Sequence, residues 1–320
     1  MTSVFFSSPL VFPYLPYRLG EENNTLYKVS KVLYFYLLLL YMRTKRLPNL
    51  EIKNKEVADD KPPMPHNLPQ PYYRLNISGS SGSGKTVSWI SMFDRQYPHF
   101  DKVFCISPTM MNDRKQMATF GCKDKVVIFD EPTPSLLKDI KQEIDRLLEC
   151  HAEYKRVKAI FKRFCNSNYD PDVLTPRDLM ALHACNFDPS TLEMAIDRPK
   201  LNMLIYMDDL QGLKILKSPT FEALIIKCRH YQTNLALCTQ TFKGVSNVWR
   251  RNATAHMIFR SNDINQVKSI WEEVAGMFRG FDHFKEIYDY ATAEPYSFLY
   301  IDTMDKVNPV NVAVPLTTSK

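Results

Sequence analysis

Short apolar runs alternate with stretches of helical periodicity from about Tyr72 to Asp302. Runs rich in β-branched and aromatic residues, bounded by turn-forming residues, predict strands. These runs are Tyr73–Ser78, Lys102–Ser107, Val126–Phe129, Met203–Met207, Leu235–Thr239, His256–Arg260 and Ser297–Ile301. Helical spacing falls between most of them, for example in Lys85–Arg95, Pro134–Cys150, Thr220–Arg229 and Ile264–Phe278. The alternation predicts an α/β fold with a mainly parallel central sheet flanked by helices.

Two regions depart from this alternation. Residues from about 144 to 200 have a helical character interrupted by prolines, which predicts a helical insertion within a domain spanning residues 72–302. Residues 303–320 are predicted to be a C-terminal tail, and residues 1–71 an N-terminal extension that ends in a proline-rich, extended linker.

The extension contains the apolar run Val32–Met42, which is too short to span a bilayer because a spanning helix needs about 20 residues. A buried or interfacial helix is favoured. A membrane-surface anchor, helped by the basic residues that follow, stays open, and so does the interpretation that translation begins at Met42.

Composition narrows the class of protein. In 320 residues, 45% are hydrophobic and 24% charged, which excludes a wholly disordered, a collagen-like and a polytopic membrane protein. The net charge of +6 is mild, so it permits a polyanionic partner without requiring one. The 7 cysteines are odd in number and scattered, with no CxxC pair. We therefore expect reduced thiols in a cytosol-like compartment and not a secreted protein.

Glycine is scarce, and its distribution points to a phosphate-binding loop. The chain has 9 glycines, whereas average usage would give roughly 22. Between a predicted strand and a predicted helix, the sequence matches G-x-x-x-x-G-K-[ST] with Gly79, Ser80, Ser81, Gly82, Ser83, Gly84, Lys85 and Thr86. Such a loop directs backbone N–H groups at phosphates, its lysine reaches the β- and γ-phosphates, and its threonine hydroxyl binds Mg²⁺. We expect ATP and Mg²⁺ as ligands.

A P-loop enzyme also needs a strand that ends in an acidic residue, and two segments compete for this role. The run Val126–Phe129 ends at Asp130 and Glu131, which superficially matches an ABC-transporter Walker B motif but lacks an upstream LSGGQ-like signature. The run Met203–Met207 ends at Asp208 and Asp209. We favour the second segment. Asp208 is then expected to hold Mg²⁺ through water, and Asp209 to position or deprotonate the attacking water.

Further candidates follow two later strands. Gln240 ends the apolar run Leu235–Thr239, where a polar side chain can contact the γ-phosphate or the lytic water. Arg229, Arg250 and Arg251 are candidates to neutralise transition-state charge in a neighbouring subunit, and position alone does not choose among them.

In this order the motifs GSSGSGKT, LIYMDDL, KCRHYQTNLALCTQ and VWRRNATAHMIFR resemble those of DNA-packaging ATPases of the FtsK–HerA superfamily, found in large double-stranded DNA viruses and virophages. The resemblance covers about residues 72–302. It implies a RecA-like P-loop NTPase core in a homo-oligomeric ring, a hexamer or a pentamer, that threads double-stranded DNA into a capsid. It makes Lys85 and Thr86 the Walker A residues, Asp208 and Asp209 Walker B, and Gln240 the polar sensor, with Arg229 and Arg251 as the better trans-acting arginines.

The resemblance further implies a virion or a host-cell virus factory as the location, with capsid or membrane components as open partners. Two other functions stay open: a cellular HerA-like or conjugative-coupling DNA translocase, and a nucleotide-dependent scaffold without turnover.

Two clusters lie in the predicted insertion. Five cations within one helical stretch could contact DNA phosphates, and we expect their neutralisation to flatten the salt dependence of DNA binding; they are Lys155, Arg156, Lys158, Lys162 and Arg163. Zinc-type ligands also occur there, but without the usual closely spaced pairs, so no zinc is expected; they are Cys150, His151, Cys165, His183 and Cys185.

Overall fold

The computed structural model describes residues 60–65, 68–121, 123–304 and 310–313. The apolar run Val32–Met42, the alternative start at Met42 and Cys122 therefore lie outside the described residues, as does most of the predicted C-terminal tail. Among the described residues, no helix combines the length and the apolar character that crossing a membrane requires.

A single eight-stranded sheet, in the order β3-β2-β4-β5-β1-β6-β7-β8, forms the centre of the described residues. The strands are β1 (Arg74–Ser78), β2 (Lys102–Ile106), β3 (Val126–Phe129), β4 (Met203–Met207), β5 (Thr233–Thr239), β6 (Ala255–Phe259), β7 (Phe298–Asp302) and β8 (Val310–Ala313). The first six pair in parallel, whereas β6–β7 and β7–β8 are antiparallel. The predicted α/β class with a mainly parallel sheet is confirmed, and each predicted strand is present within two residues at either end.

The described residues form eight α-helices, most of which flank the sheet. They are α1 (Lys85–Gln96), α2 (Arg114–Phe120), α3 (Leu136–Asn166), α4 (Pro176–Ala184), α5 (Pro219–Lys227), α6 (Asn247–Asn252), α7 (Ile264–Val274) and α8 (Phe281–Ala291). Both faces of the sheet are buried, as expected for parallel strands that alternate with helices. Along β4, Ile205 and Met207 pack with residues of α3 and α5, while Leu204 and Tyr206 pack with Trp89 of α1 on the opposite face.

The core extends further towards the N-terminus than the sequence predicts. Met64 and Leu68 lie in the predicted extended linker, yet both are buried in the same cluster as β1 and α1. The prediction of an extended linker did not include this packing, because composition alone does not reveal the surface on which the two apolar side chains pack.

The predicted helical insertion is built on one long helix. Helix α3 has 31 residues and passes through the predicted boundary at residue 144 without interruption. Its first half packs on the sheet through Leu137 and Ile140. Its second half forms a separate small cluster with α4, which includes Val157, Ile160 and Leu182. The segment is thus a helical arm whose first part is the continuation of a helix that packs on the sheet.

Candidate active site

The loop between β1 and α1 has the backbone that a phosphate-binding loop needs. Gly82 and Gly84 have φ angles of 74° and 96°, in the left-handed region that glycine adopts without steric cost. Gly79 is required for another reason, since a β-carbon there would lie 2.6 Å from Phe259 Cβ. The Gly79 N–H donates to the carbonyl of Thr239 at 3.2 Å, which ties the loop to the end of β5.

The side chains of the two predicted Walker A residues lie at the start of α1. Lys85 donates through Nζ to the carbonyls of Gly79 at 2.7 Å and Ser80 at 2.8 Å, so its ammonium group lies across the loop. Thr86 is half-buried in the first helical turn and is not among the residues that line the neighbouring cavity.

A cavity of about 290 Å³ opens beside Lys85, at the carboxyl ends of β2, β4 and β5. This is the edge of a parallel sheet where ligands are usually bound. Its lining residues are Lys85, Thr109, Asp208, Asp209, Gln211, Cys238, Thr239 and Gln240. Three separately predicted candidates, the Walker A lysine, the acidic pair and the glutamine, therefore meet at one cavity.

Asp208 is the buried member of the acidic pair, with 4% of its surface exposed. Its Oδ2 accepts from the Tyr206 hydroxyl at 2.8 Å, and its Oδ1 accepts from the Asp209 N–H at 3.0 Å. Burial raises the pKa of the Asp208 carboxyl, and the neighbouring Asp209 charge raises it further, while the hydrogen bonds and Lys85 oppose the rise. A cation bound at this carboxylate would relieve the unfavourable burial of its charge.

Asp209 is exposed to the cavity and is held in a defined orientation. Its φ angle of 53° is uncommon for a residue with a side chain. The Thr109 hydroxyl, which follows β2, donates to Asp209 Oδ2 at 2.8 Å. Sequence reasoning missed Thr109; the available signal was its position just beyond a predicted strand that turns out to neighbour β4.

Gln240 follows β5, directly beside β4 in the sheet. Its backbone N–H donates to Gln211 Oε1 at 3.0 Å, and the Thr241 N–H donates to the same oxygen at 3.3 Å. Gln211 Nε2 in turn donates to Thr241 Oγ1 at 3.0 Å. A β-carbon at Gly244 would lie 2.5 Å from Gln211 Cδ, so this glycine leaves room for the amide. Gln211, which the sequence did not indicate, thus connects the loop after β4 to the loop after β5.

The competing acidic pair lies elsewhere. Asp130 and Glu131 follow β3, which is the edge strand and is separated from β1 by β2, β4 and β5. Neither residue lines the cavity. The choice of Asp208 and Asp209 on sequence grounds therefore agrees with the geometry, although their catalytic roles remain predictions.

The three arginine candidates lie near the amino ends of the strands, whereas the cavity lies at the carboxyl ends. Arg229 precedes β5 and is exposed, and Arg250 and Arg251 belong to α6, which precedes β6. Arg250 is occupied within its own chain, since its Nε lies 2.8 Å from Glu273 Oε1 and its Nη1 donates to the Val245 carbonyl at 2.7 Å. Arg251 is exposed. The structure thus removes Arg250 from the set of available arginines.

The cationic stretch of α3 is largely neutralised by its own chain. Arg156 pairs with Glu153 at 2.6 Å, Lys158 with Asp197 at 2.5 Å and Arg163 with Asp178 at 2.9 Å. Lys155 donates to the Pro199 carbonyl at 3.0 Å, while Lys162 is exposed. These pairs weaken the expectation that all five cations meet DNA phosphates.

The zinc-type residues of the same region are dispersed among other contacts. His151 Nε2 lies 3.1 Å from the Ile196 carbonyl, Cys185 is buried, and Cys150 lies beside Arg146 and Glu193. Within the described part of the chain, no group of His, Cys, Asp or Glu has the arrangement of a metal site. Cys165 and His183, the other two zinc-type residues of the region, are not part of such a group either.

No protein-family model matches the sequence, and no curated protein is significantly similar to it. Among solved structures, one match is the genome packaging NTPase B204 from Sulfolobus turreted icosahedral virus 2 in complex with AMP, at 13% identity and a TM-score of 0.46, covering 77% of this chain and 99% of that one. Another is the DNA-packaging ATPase B204 from Sulfolobus Turreted Icosahedral Virus, at 11% identity and 0.46, covering 76% and 97%. A third is VirB4 of Thermoanaerobacter pseudethanolicus, at 10% and 0.38, covering 72% and 86%.

Proposed function

We propose that this chain is an ATP-driven double-stranded DNA translocase that packages a viral genome into a capsid. The observation that carries the proposal is the convergence of Lys85, Asp208, Asp209 and Gln240 on one cavity beside the phosphate-binding loop. The order of motifs along the chain, which resembles that of packaging ATPases, supplies the link to DNA.

The loop binds the phosphates of ATP. Its backbone N–H groups and the N-terminus of α1 favour negative charge. Lys85 exchanges the carbonyls of Gly79 and Ser80 for oxygens of the β- and γ-phosphates, because a charged acceptor makes the stronger hydrogen bond.

The residues beside the cavity fit Mg²⁺. The donors are oxygens, which this ion prefers, and the buried Asp208 carboxylate lies where a positive charge is favourable. Asp208 and the Thr86 hydroxyl would hold the ion. When bound, Mg²⁺ neutralises charge on the β- and γ-phosphates.

Asp209 positions the attacking water and accepts its proton. Thr109 occupies Oδ2, so the orientation of the carboxylate is fixed and Oδ1 faces the water. Gln240 contacts the γ-phosphate or the same water from the end of β5, and Gln211 holds the loop on which Gln240 lies.

A ring explains the position of the arginines. Arg229 and Arg251 lie at the amino ends of β5 and β6, at the opposite edge from their own phosphate-binding loop. Either side chain therefore acts on the nucleotide of a neighbouring subunit, in a hexamer or a pentamer around double-stranded DNA. Such a motor works in the virion or in the virus factory of the host cell, with capsid or membrane components as partners.

The substitution Asp209→Asn, compared with Glu131→Gln, tests the assignment of the acidic pair. We expect Asp209→Asn to lower kcat for ATP hydrolysis by about 10²- to 10⁴-fold, the usual contribution of a general base. Nucleotide affinity should change little, because the loop and Lys85 are intact. Glu131→Gln, four strands from β1, should leave kcat within about twofold. Loss of hydrolysis in Glu131→Gln alone would show that the wrong strand has been assigned.

A further inference from the structure

We propose that Tyr296 forms a subsite for the nucleobase, which stacks on its ring while the phosphate-binding loop holds the phosphates. The inference rests on the proposed function, since it concerns the same nucleotide. It adds a residue that no motif in the sequence indicates.

Tyr296 lies beside the last glycine of the phosphate-binding loop. It precedes β7, whose first residue, Phe298, pairs with Phe259 at the carboxyl end of β6. This antiparallel pairing returns the chain to the edge of the sheet where the loop lies. A β-carbon built on Gly84 would lie 3.0 Å from Tyr296 Cβ and 3.0 Å from its Cδ1, so the tyrosine contacts the loop directly.

Packing alone does not explain this tyrosine. Its side chain is 60% exposed, so the ring buries little surface. Its φ angle of 66° lies in the left-handed region, which large side chains rarely adopt. Residues held in such conformations cluster at ligand-binding sites, where the surrounding structure fixes them.

The geometry of the cavity fixes the direction in which the nucleotide extends. Every residue that lines the cavity, other than Lys85 itself, follows or ends β2, β4 or β5. The terminal phosphate and the water meet Asp209 and Gln240 on that side of the loop. The nucleoside end must leave on the other side, towards β6 and β7, and Tyr296 is an exposed aromatic side chain found there.

A second exposed apolar side chain follows the loop closely in the sequence. Val87 is in the first turn of α1, directly after Lys85 and Thr86, and is 53% exposed. The exposed valine and the exposed tyrosine that contacts Gly84 each leave an apolar surface near the loop that would hold charged phosphates. A planar, uncharged nucleobase attached to phosphates has the chemistry that fits this surface.

The test compares ligands with and without a base on the full chain. Isothermal titration calorimetry in Mg²⁺ would measure the Kd of ATP, GTP and inorganic tripolyphosphate for the wild type, Tyr296→Ala and Tyr296→Phe. Loss of the stacking between one base and an aromatic side chain weakens binding by a factor of roughly 5 to 150. We therefore expect Tyr296→Ala to weaken ATP about tenfold or more and GTP by a similar factor, because stacking does not read the edges of the base.

Tripolyphosphate separates stacking from support of the loop. Its Kd should stay within about twofold in Tyr296→Ala, and Tyr296→Phe should bind all three ligands like the wild type. Equal weakening of ATP and tripolyphosphate, or unchanged ATP affinity, would overturn the inference. Tyr296→Asn, which tolerates the left-handed backbone, repeats the comparison if the alanine variant unfolds at a lower temperature. A wild type that binds neither ATP nor tripolyphosphate would instead overturn the proposed function itself.

Discussion

One amide side chain, that of Gln211, holds two parts of the site together. It accepts the backbone N–H groups of Gln240 and Thr241 and donates to the Thr241 hydroxyl. Each such hydrogen bond is worth about 1 kcal/mol, so their joint loss frees the loop after β5.

We expect Gln211→Ala to lower kcat for ATP about tenfold and to leave the Kd of ATP unchanged, since no phosphate contact is lost. Gln211→Glu keeps the accepting oxygen and should restore part of kcat. The matched control is Gln142→Ala, an exposed glutamine of α3 far from the cavity. A parallel loss of kcat and affinity would contradict a positioning role for Gln211.

Some residues of the site belong to a sequence motif, whereas others reach the site only because of the order of the strands in the sheet. Lys85 and Asp208 could be predicted because each belongs to a pattern whose chemistry is fixed by sequence spacing. Thr109 and Gln211 could not, because a threonine or glutamine gains its role only when the sheet order brings the ends of β2, β4 and β5 together. Their signal, a polar residue just beyond a strand, is too common to select them.

Strand β6 contains a buried histidine, His256, that we expect to make the stability of the fold depend on pH. His256 is 2% exposed, its ring centroid lies 5.9 Å from that of Phe242, and its Nδ1 has no partner in the described structure. Burial lowers the pKa of His256 to about 4 from the usual value of 6.5.

The direction of this pH dependence follows from the difference in proton binding at His256 between the unfolded and the folded chain. Between about pH 6.5 and pH 4 the unfolded chain binds a proton at His256 and the folded chain does not, so the free energy of unfolding decreases as the pH falls. The expected loss across this window is roughly 2–3 kcal/mol. Urea unfolding of His256→Gln at several pH values should show a correspondingly weaker pH dependence, whereas His230→Gln, at an exposed position, should behave like the wild type. Identical curves for the wild type and His256→Gln would contradict the contribution of His256 to this pH dependence.

Strands were easier to predict than the limits of helices and linkers. The predicted strands are short apolar runs that the sequence marks clearly, and β4 and β5 are buried at every position. Helix α3 continues well beyond its predicted end at Cys150 because its second half packs on α4, which is a tertiary contact. The burial of Met64 and Leu68 also depends on tertiary contacts, as do the ion pairs that neutralise the cations of α3. Such contacts cannot be identified from local sequence patterns.

In the proposed motor, the two ends of the parallel strands have different roles. We propose that the carboxyl ends bind the nucleotide and that the amino ends present Arg229 and Arg251 to a neighbouring subunit. We expect Arg251→Ala or Arg229→Ala to lower ATP hydrolysis by about 10³-fold, as for other trans-acting arginines, with unchanged stability. Mixing the inactive variant with Asp209→Asn subunits should restore activity in part, because each supplies what the other lacks.

Arg250→Ala is the informative comparison for this experiment. It should lower the free energy of unfolding by about 1–2 kcal/mol, because Glu273 loses a partly buried partner at 2.8 Å. If neither Arg229→Ala nor Arg251→Ala lowers hydrolysis in the assembled protein, the trans-acting arginine is not among the residues proposed.

We propose above that ATP hydrolysis at this loop is coupled to double-stranded DNA. The most direct measurement is the steady-state ATPase rate of the full chain with and without linear double-stranded DNA, for the wild type and Lys85→Ala. We expect DNA to raise the wild-type rate several-fold, and we expect no hydrolysis in Lys85→Ala under either condition. A wild-type rate that is the same with and without DNA would contradict this coupling.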